Sequence, residues 1–261
     1  MSAVASPPRV GPLLREWRHR RRLSQLDLAL DAGVSTRHLS FIETGRARPS
    51  AHMILHLAER LDVPLRERNS LLLSAGHAPV FSQHDLDAPE LEPVREAIDA
   101  ILAAHEPFPA LAVDRHWGMV AANRAVAPLV AGADPALLAP PVNVLRLTLH
   151  PGGLAPRIAN LGEWRAHLLG RLAREVAASG DPALAALHEE LVALPGPSSP
   201  EPAPPPALAV PLRIHAGDAE LVLLSTVTTF GTPTDVTLSE LSVEAFLPAD
   251  EQTARTLQTT I

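Results

Sequence analysis

The chain of 261 residues is long enough for two domains of ordinary size. It contains no cysteine, which excludes disulfide bridges, thiolate metal sites and a cysteine nucleophile. No run of about 18 apolar residues is present, and the N-terminus lacks the pattern of a signal peptide. We therefore expect a cytoplasmic protein that does not enter the membrane.

The charge is divided unevenly along the chain. Residues 1–80 contain 12 arginines and 7 acidic residues, so this part carries a charge of +5. The remainder contains 10 arginines and 22 acidic residues, so it carries −12 and the net charge is −7. A basic N-terminal part followed by an acidic remainder indicates that residues 1–80 bind phosphate and that the rest of the chain binds something else.

The first predicted helix follows a lead of residues 1–8 that we expect to be disordered. It runs from about Arg9 to Arg22 and has apolar residues at helical spacing. It ends in a run of basic residues, which is either a solvated helix end or a set of phosphate contacts. Because a second helical motif follows at once, we favour phosphate contacts by Arg20 and Arg22.

Residues 24–48 predict two short helices around a tight turn. Ser24 and Ser35 stand in N-cap positions, and Gly33 lies where the first helix must end and the chain must turn. The second helix has one apolar side and one polar side. Two helices of this kind place the second helix in the major groove of DNA.

The same stretch resembles the Cro/C1-type, or XRE, helix-turn-helix family. The residues that carry the resemblance are Ser24-Gln25-x-x-Leu28-Ala29, Gly33-Val34-Ser35 and Leu39-Ser40-x-Ile42-Glu43-x-Gly45-x-x-x-Pro49-Ser50. Two further predicted helices, at 50–61 and 64–75, complete an all-α five-helix domain over residues 9–80. The resemblance also implies an ion pair between Arg18 and Glu43. The alternative is a helical hairpin that binds nothing.

The predicted partner of this domain is double-stranded DNA. One domain reads too few base pairs for a useful specific affinity, so we expect a homodimer on a palindromic operator. Arg37 is the residue best suited to a guanine edge. The predicted DNA-binding residues are Gln25, Ser35, Thr36, Arg37, His38, Ser40, Arg46, Arg48, Arg20 and Arg22.

The second half of the chain predicts an α+β domain with one antiparallel sheet. Two short β-type runs flank a turn at Asp114-Arg115, and helices follow over residues 142–193. A proline-rich loop at 195–206 comes next. Three more β-type runs, at 208–214, 220–230 and 237–246, precede a closing helix from Ala249.

This half resembles the ligand-binding domain of MmyB-like transcription regulators. The matching residues include Asp114-Arg-x-Trp117, Asn143-Val-Leu-Arg146, His150-Pro-x-Gly-Leu154 and Phe230-Gly-Thr-Pro-x-Asp-Val-Thr-Leu-x-Glu240-Leu. The resemblance implies a PAS-like domain over residues 90–261, and the sequence before it, at 81–89, predicts a hinge. It also implies a five-stranded antiparallel sheet with helices over one face, and a small hydrophobic ligand, with fatty acids the best suggestion.

A pocket for such a ligand needs an apolar lining and a few polar anchors. We expect Arg146 to neutralise a ligand carboxylate. Core packing explains the aromatic candidates equally well, and the whole domain has an alternative role as a dimerisation or protein-interaction module without a ligand. The predicted ligand-binding residues are Trp117, Met119, Asn123, Leu145, Arg146, His150, Trp164 and Phe230.

The sequence does not favour an enzyme. It has no Gly-x-Ser-x-Gly, phosphate-binding loop, dinucleotide fingerprint or His-Glu-x-x-His motif. His52 and His56 have a spacing that suits a metal, but no third ligand is obvious. We therefore predict neither a catalytic residue, nor a metal, nor a cofactor. The predicted function is a DNA-binding transcription regulator whose second domain senses a small molecule.

Overall fold

A computed structural model describes residues 9–197, 209–217 and 219–260. The predicted lead 1–8 and most of the proline-rich loop 195–206 lie outside these residues. The chain divides into two compact units. The first contains residues 9–83 and the second the chain from His84, with the short segments 177–179 and 234–236 belonging to the first.

The first unit is helical. Ser24 and Asp27 form a capping box, in which the Ser24 hydroxyl accepts from the Asp27 amide at 3.1 Å and the Asp27 carboxylate accepts from the Ser24 amide at 2.9 Å. Ser35 and Ser50 cap the next two helices. The helices are α1 (Val10–Arg20), α2 (Gln25–Asp31), α3 (Thr36–Glu43), α4 (Ala51–Arg60) and α5 (Leu65–Ser74).

The core of the first unit is built from leucine and isoleucine side chains of all five helices. Gly11 of α1 meets the end of α3 so closely that an added Cβ would lie 2.4 Å from the Ile42 carbonyl oxygen. A glycine is therefore needed where these two helices meet. Fully buried members of the core are Leu14, Leu28, Leu39, Ile42, Ile54, Leu57 and Leu72.

The second unit combines helices with a sheet. Its helices are α6 (Glu92–Ala104), α7 (Val126–Val130), α8 (Pro135–Leu138), α9 (Val144–Leu149), α10 (Leu161–Ser179), α11 (Pro182–Ala193), α12 (Val236–Ser239) and α13 (Glu251–Thr260). Its strands are β1 (Ala110–Val113), β2 (Met119–Ala122), β3 (Leu212–Ala216), β4 (Ala219–Thr229) and β5 (Ser242–Pro248). Single 3₁₀ turns occupy 89–91 and 155–157.

The five strands form one sheet in the order β2-β1-β5-β4-β3, with every neighbouring pair antiparallel. The predicted fold class, a helical domain followed by an α+β domain with a five-stranded antiparallel sheet, is confirmed. All four residues of β1 are buried, because helices pack on both faces. Ile98 and Leu102 of α6 join the core cluster that contains Ala110 and Ala112. The implied arrangement with helices over one face is therefore corrected.

The last predicted β-type run also differs from the structure. It was expected over 237–246, but β5 begins at Ser242. The preceding residues form α12, and the Glu240 amide closes a turn by donating to the Thr237 carbonyl at 3.1 Å. A helical turn therefore takes the first part of an otherwise strand-like sequence.

Candidate functional site

Helix α3 has a buried side and an outer side. Leu39 and Ile42 are buried in the core of the first unit. Arg37 and His38 are exposed on the outer side, where the Arg37 guanidinium lies 5.3 Å from the centre of the Phe41 ring. A contact of this kind at an exposed site contributes about 0.5–1 kcal/mol. Thr36 and Ser40 are half-buried on this helix.

The start of α2 is tied to the end of α3 by hydrogen bonds. Arg18 donates to Glu43 through Nε at 2.7 Å and through a terminal nitrogen at 2.9 Å. Gln25 donates from Nε2 to Glu43 at 2.8 Å. Burial works to raise the pKa of Glu43, but the hydrogen bonds from Arg18 and Gln25 outweigh it and hold this pKa below its ordinary value. Gln25 is thus held beside α3.

Exposed arginines flank the two helices. Arg46 and Arg48 follow α3 directly and are exposed. Arg22 is exposed at the end of the basic run, and Arg20 bonds to Glu16 of its own helix at 2.5 Å. Exposed arginines suit contact with phosphate, because a guanidinium donates several hydrogen bonds to one phosphate group.

Arg21 has a different place from its neighbours. Its Nε donates to the Leu61 carbonyl at 2.7 Å, and a terminal nitrogen donates to the Asp62 carbonyl at 2.7 Å. These are carbonyls at the end of α4, where backbone acceptors lack helical partners. Arg21 therefore stabilises the first unit from within.

The second unit contains an apolar cavity of about 70 Å³ on the α10 side of the sheet. Among the described residues that line it, Glu244 is the one ionisable side chain. The lining residues are Pro109, Leu111, Trp117, Met119, Val126, Leu129, Val130, Val144, Leu145, Leu147, Thr148, Leu154, Trp164, Leu168, Leu212, Ile214, Glu244 and Phe246.

Trp117 enters the cavity wall from a strained turn between β1 and β2. Its φ is +65°, a left-handed conformation that a bulky side chain rarely adopts. The turn is held by the Asp114 carboxylate, which accepts from the amides of His116 and Gly118 at 2.8 Å each. The tryptophan is only 3% exposed. A strained residue that persists in a cavity wall is typical of a binding site.

An ion network on α10 and β5 supports the Trp117 ring. The indole Nε1 donates to Glu175 at 2.8 Å, and the Arg171 guanidinium lies 4.3 Å from the ring centre. Arg171 also donates to Glu175 at 3.1 Å and to Glu244. Burial raises the pKa of Glu244, although Arg171 favours its charged form. Arg171 therefore pairs with two carboxylates, those of Glu175 and Glu244.

Trp164 is the second tryptophan that lines the cavity. Its side chain is 3% exposed, and its Nε1 has no hydrogen-bond partner within the described part of the chain. The ring stacks on His167 with 5.3 Å between the ring centres. Burial lowers the pKa of His167, and Arg171 and Arg174 lower it further. Because the stacked imidazole favours its neutral form, it does not supply a cation.

The structure brings together four of the eight predicted ligand-binding residues, namely Trp117, Met119, Leu145 and Trp164. Arg146 lies outside the cavity lining, because its guanidinium forms two hydrogen bonds to Glu190 at 2.6 and 2.7 Å. Glu190 therefore occupies the Arg146 guanidinium, which was predicted to bind a ligand carboxylate.

The other three candidates also lie outside the lining. Asn123 joins backbone groups, since it accepts from the Ala110 amide at 3.1 Å and donates to the carbonyls of Leu102 and Phe108. His150 ends α9 and accepts from the Gly152 amide at 2.9 Å. Phe230 packs with α6 on the opposite face of the sheet.

The sequence analysis missed Glu244 and its partners on α10. A single acid in the otherwise apolar run Val-Glu-Ala-Phe of β5 was the available signal. Arg171 and Glu175 stand one turn apart on a helix, which is typical of a solvated ion pair and gave no indication of a cavity. Their contact with β5 arises only in the folded chain.

Two features of the described residues bear on metals and membranes. His56 Nε2 lies 2.8 Å from the Ala32 carbonyl oxygen, and its ring stacks on His52, so this pair has structural contacts. No group of three or more potential metal ligands occurs in the part of the chain that the structure describes. Over the same residues, no helix is long and apolar enough to cross a membrane.

Taken with its helix-turn-helix, the fold defines a DNA-binding transcription regulator with a separate ligand-binding domain. Residues 94–259 match the family described as MmyB-like transcription regulator ligand binding domain, and residues 14–68 match the helix-turn-helix family. Because the first match spans more than half of the 261 residues, the chain belongs to the MmyB-like transcription regulators. Both matched families are domains of transcription regulators. A comparison with curated proteins gives no match.

Proposed function

We propose that the protein acts in the cytoplasm as a homodimer that binds a palindromic operator and responds to a small hydrophobic ligand. The first unit would read DNA through the outer side of α3, which no core contact occupies. Thr36, Arg37, His38 and Ser40 supply its polar groups, and Gln25 stands beside it. Their side chains have the donors and acceptors that base edges in the major groove require.

Backbone contacts would come from the flanking basic residues. Arg20, Arg22, Arg46 and Arg48 carry charge at both ends of the motif, and Ser35 stands at the start of α3. Each phosphate contact that is lost should reduce the salt dependence of binding by about one counterion. A pair of such domains on one DNA face would double the contacts and give the affinity that one domain lacks.

The observation that carries the sensing function is the apolar cavity with the strained Trp117 in its wall. Its volume of about 70 Å³ is small beside the roughly 300–1,000 Å³ of common ligand pockets. A fatty acid, the ligand suggested by the family resemblance, would therefore enter only with repacking of the wall. Met119 and the leucines of the lining have the rotamer freedom for this change.

The alternative function leaves the DNA-binding unit unchanged and makes the second unit a dimerisation or protein-interaction module. Under this alternative the cavity is a packing defect, and the protein purifies without a small molecule. The strained Trp117 favours the ligand, since a purely structural turn would adopt glycine at a left-handed position at lower cost.

Native mass spectrometry of the full-length protein from its own host, with organic extraction, tests the ligand. A stoichiometric apolar compound would support the proposal and identify what to add to a binding titration with the promoter DNA. The compound must change operator affinity, because a ligand acts only through different affinities for two states. A bare dimer that stays unchanged after soaking with acyl compounds would favour the interaction module.

The same titration tests the DNA-binding face. Wild-type protein should bind its own promoter with an affinity that falls as salt rises. Arg48→Ala should weaken binding to all sequences and reduce the salt slope by about one. If the salt slope of Arg48→Ala equals that of wild type, Arg48 does not contact phosphate. If wild-type protein shows no salt-dependent binding, the proposed DNA-binding function is wrong.

A further inference from the structure

The second half of β4 lies at an edge of the sheet. β4 continues to Thr229, whereas β3 pairs with it only from Ala219 to Leu223. On its other side β4 pairs with β5 along the whole of this second half. Residues 225–229, here called the β4 edge, therefore border no strand on the β3 side in the described part of the chain. Residues 226–229 are all exposed.

Strand geometry determines which backbone groups point out of the β4 edge. The Val222 carbonyl accepts from the Ala249 amide at 2.8 Å and continues the register of the β4–β5 pair. Because successive residues alternate in the direction of their backbone groups, the even-numbered residues of β4 bond to β5. The amides and carbonyls of Ser225, Val227 and Thr229 then point away from β5, and no described residue forms a hydrogen bond with them on that side.

The two outer strands of the sheet are covered by other segments of the chain. The Ala159 amide donates to the Arg213 carbonyl of β3 at 2.8 Å, and the Arg213 amide donates to Asn160 Oδ1 at 3.1 Å. At the opposite end of the sheet, the Met119 amide of β2 donates to the Val142 carbonyl at 2.7 Å. The β4 edge differs from these strands, because its outward backbone groups have no such partner among the described residues.

The residue types of the β4 edge favour pairing with another strand. Its sequence is Ser-Thr-Val-Thr-Thr, and threonine and valine are enriched in strands. It contains neither a charged residue nor proline, which are the means by which proteins commonly prevent an edge strand from pairing. Val227 is 47% exposed, so an apolar side chain stands at the middle of the edge. An edge of this kind binds an added strand through main-chain hydrogen bonds.

We propose that the β4 edge pairs with the same edge of a second copy of this chain, antiparallel about a two-fold axis at Val227. In this register Val227 lies opposite its own equivalent, and Ser225 lies opposite Thr229 of the second copy. All of these are hydrogen-bonded pairs, so about six main-chain hydrogen bonds form. Moving the axis by one residue in either direction leaves Thr229 or Ser225 unpaired, so this register is the one that satisfies every outward group.

The symmetry of the edge identifies the partner as a second copy. Antiparallel pairing of identical strands satisfies both copies at once, and the assembly closes as a dimer because each copy contributes the same edge. An uncharged segment also meets no like charge across the axis. A pairing of five residues is a small interface beside the roughly 1,200–2,000 Å² of stable complexes, so we expect a dimer that dissociates on dilution.

This contact rests on the proposed function, since it specifies how the proposed homodimer forms. It lies in the second unit and is compatible with that unit either with or without a ligand. The two DNA-binding units of the dimer would then be joined through one continuous sheet.

Sedimentation equilibrium of the full-length protein without DNA measures the dissociation constant of the dimer. Val227→Lys places a lysine at the centre of the edge, where lysine opposes strand pairing, and should raise this constant about tenfold. Val192→Lys adds the same charge at an exposed valine of α11 and should leave the constant unchanged. A Val227→Lys protein that dimerises as tightly as wild type would overturn the inference.

Val227→Pro tests the main-chain hydrogen bonds. Proline removes the outward N–H of this residue from each copy and removes no hydrogen bond to β5, so the single chain should keep its fold. The dissociation constant should again rise at least about tenfold, because both bonds at the axis are lost. Circular dichroism confirms the fold of the variant. A folded Val227→Pro protein with an unchanged dissociation constant would contradict the pairing.

Cysteine crosslinking tests the register, since the chain has no cysteine of its own. The Cα atoms of a hydrogen-bonded antiparallel pair are about 5.5 Å apart, which suits a disulfide. Val227→Cys should therefore form a covalent dimer when diamide is added as the oxidant. Thr226→Cys is the matched control and should not, because in this register it lies opposite Thr228 of the second copy. Equal crosslinking of the two variants would show that the register is wrong.

The outcomes separate this contact from the proposed function. If wild-type and Val227→Lys proteins dimerise alike, the proposed homodimer stands and its contact lies elsewhere. If wild-type protein is monomeric at about 100 μM, both the homodimer and this contact are wrong. The titration with promoter DNA then still tests DNA binding by the first unit. The crosslinking comparison stays decisive even if Val227→Pro does not fold.

Discussion

Arg18 and Glu43 form a buried ion pair with two hydrogen bonds of 2.7 and 2.9 Å between helices α1 and α3. Their side chains are 7% and 1% exposed. Gln25 adds a third hydrogen bond to the same carboxylate. Helix α3 is therefore fixed at its end to both preceding helices. This connection links the stability of the first unit to the position of its candidate DNA-binding face.

Glu43→Gln should destabilise the protein by about 3 kcal/mol, because it leaves the buried Arg18 guanidinium without a countercharge. Urea unfolding followed by circular dichroism measures the change. Glu16→Gln is the matched control, since Glu16 pairs with Arg20 at the exposed surface. It should cost less than about 1 kcal/mol. Equal effects of the two substitutions would contradict the structural role of the Glu43 pair.

The same carboxylate predicts a pH dependence. The folded state lowers the pKa of Glu43 below its ordinary 4.5, so the stabilisation is present above this pH and is lost as the pH falls through the folded-state value. The stability difference between wild type and Glu43→Gln should therefore be largest near neutral pH and shrink below pH 4.5. A difference that stays constant down to acid unfolding would show that Glu43 does not titrate with a lowered pKa.

Arg37→Ala should reduce discrimination between the operator and a scrambled sequence by about 1–3 kcal/mol. The guanidinium is on the exposed side of α3, next to the Phe41 ring, and is suited to a guanine edge. Fluorescence anisotropy with both DNA sequences measures the ratio of affinities. Arg60→Ala removes the same charge from the end of α4 and should leave the ratio unchanged. If Arg37→Ala discriminates as well as wild type, Arg37 does not read a base.

Two glycines in helices should respond to alanine in opposite ways. Gly11→Ala places a Cβ 2.4 Å from the Ile42 carbonyl oxygen, so it should destabilise the first unit by about 1–3 kcal/mol. Gly170→Ala in α10 meets no described atom closer than 3.7 Å and should stabilise the second unit by about 0.5–1 kcal/mol. Thermal unfolding compares them. A stabilising Gly11→Ala would contradict the close approach of α1 to α3.

The cavity can be tested by adding volume to its wall. Leu145→Phe adds a ring beside an empty space of about 70 Å³, so it should cost less than about 1 kcal/mol. Leu191→Phe in α11 adds the same volume to a fully buried position of the same core cluster that does not line the cavity. It should cost about 1–3 kcal/mol. Chemical denaturation measures both, and equal costs would contradict the presence of free space beside Leu145.

Much of the helix-turn-helix was predictable because its signals are local. The capping serines Ser24 and Ser35 and the left-handed Gly33 act within one turn of their own positions, and the structure has each where the sequence placed it. The prediction was wrong where a short helical turn competed with a longer strand-like pattern. Residues 236–239 form a helical turn, although the run around them alternates like a strand.

The same difference between local signals and long-range contacts applies to the predicted ligand-binding residues. Trp117 and Trp164 were predicted from the family resemblance, and both line the cavity, where large apolar rings are commonly buried. Arg146 was expected at a ligand carboxylate, but Glu190 lies 44 positions further along the chain and takes its guanidinium. No local pattern in the sequence indicates which of 29 acidic residues an arginine will meet.

The sequence by itself determined the two-part organisation, the basic N-terminal part, the helix caps and the strands that alternate in hydrophobicity. These features depend on neighbours within a few residues, so local propensity is enough to specify them. Only the tertiary structure decided that Gln25 meets Glu43, that Arg171 joins α10 to β5 and that Trp164 lines a cavity together with β-strand residues. Those contacts join residues that are far apart in the chain. Burial strengthens the interaction between paired polar groups and raises the free-energy cost of unpaired ones.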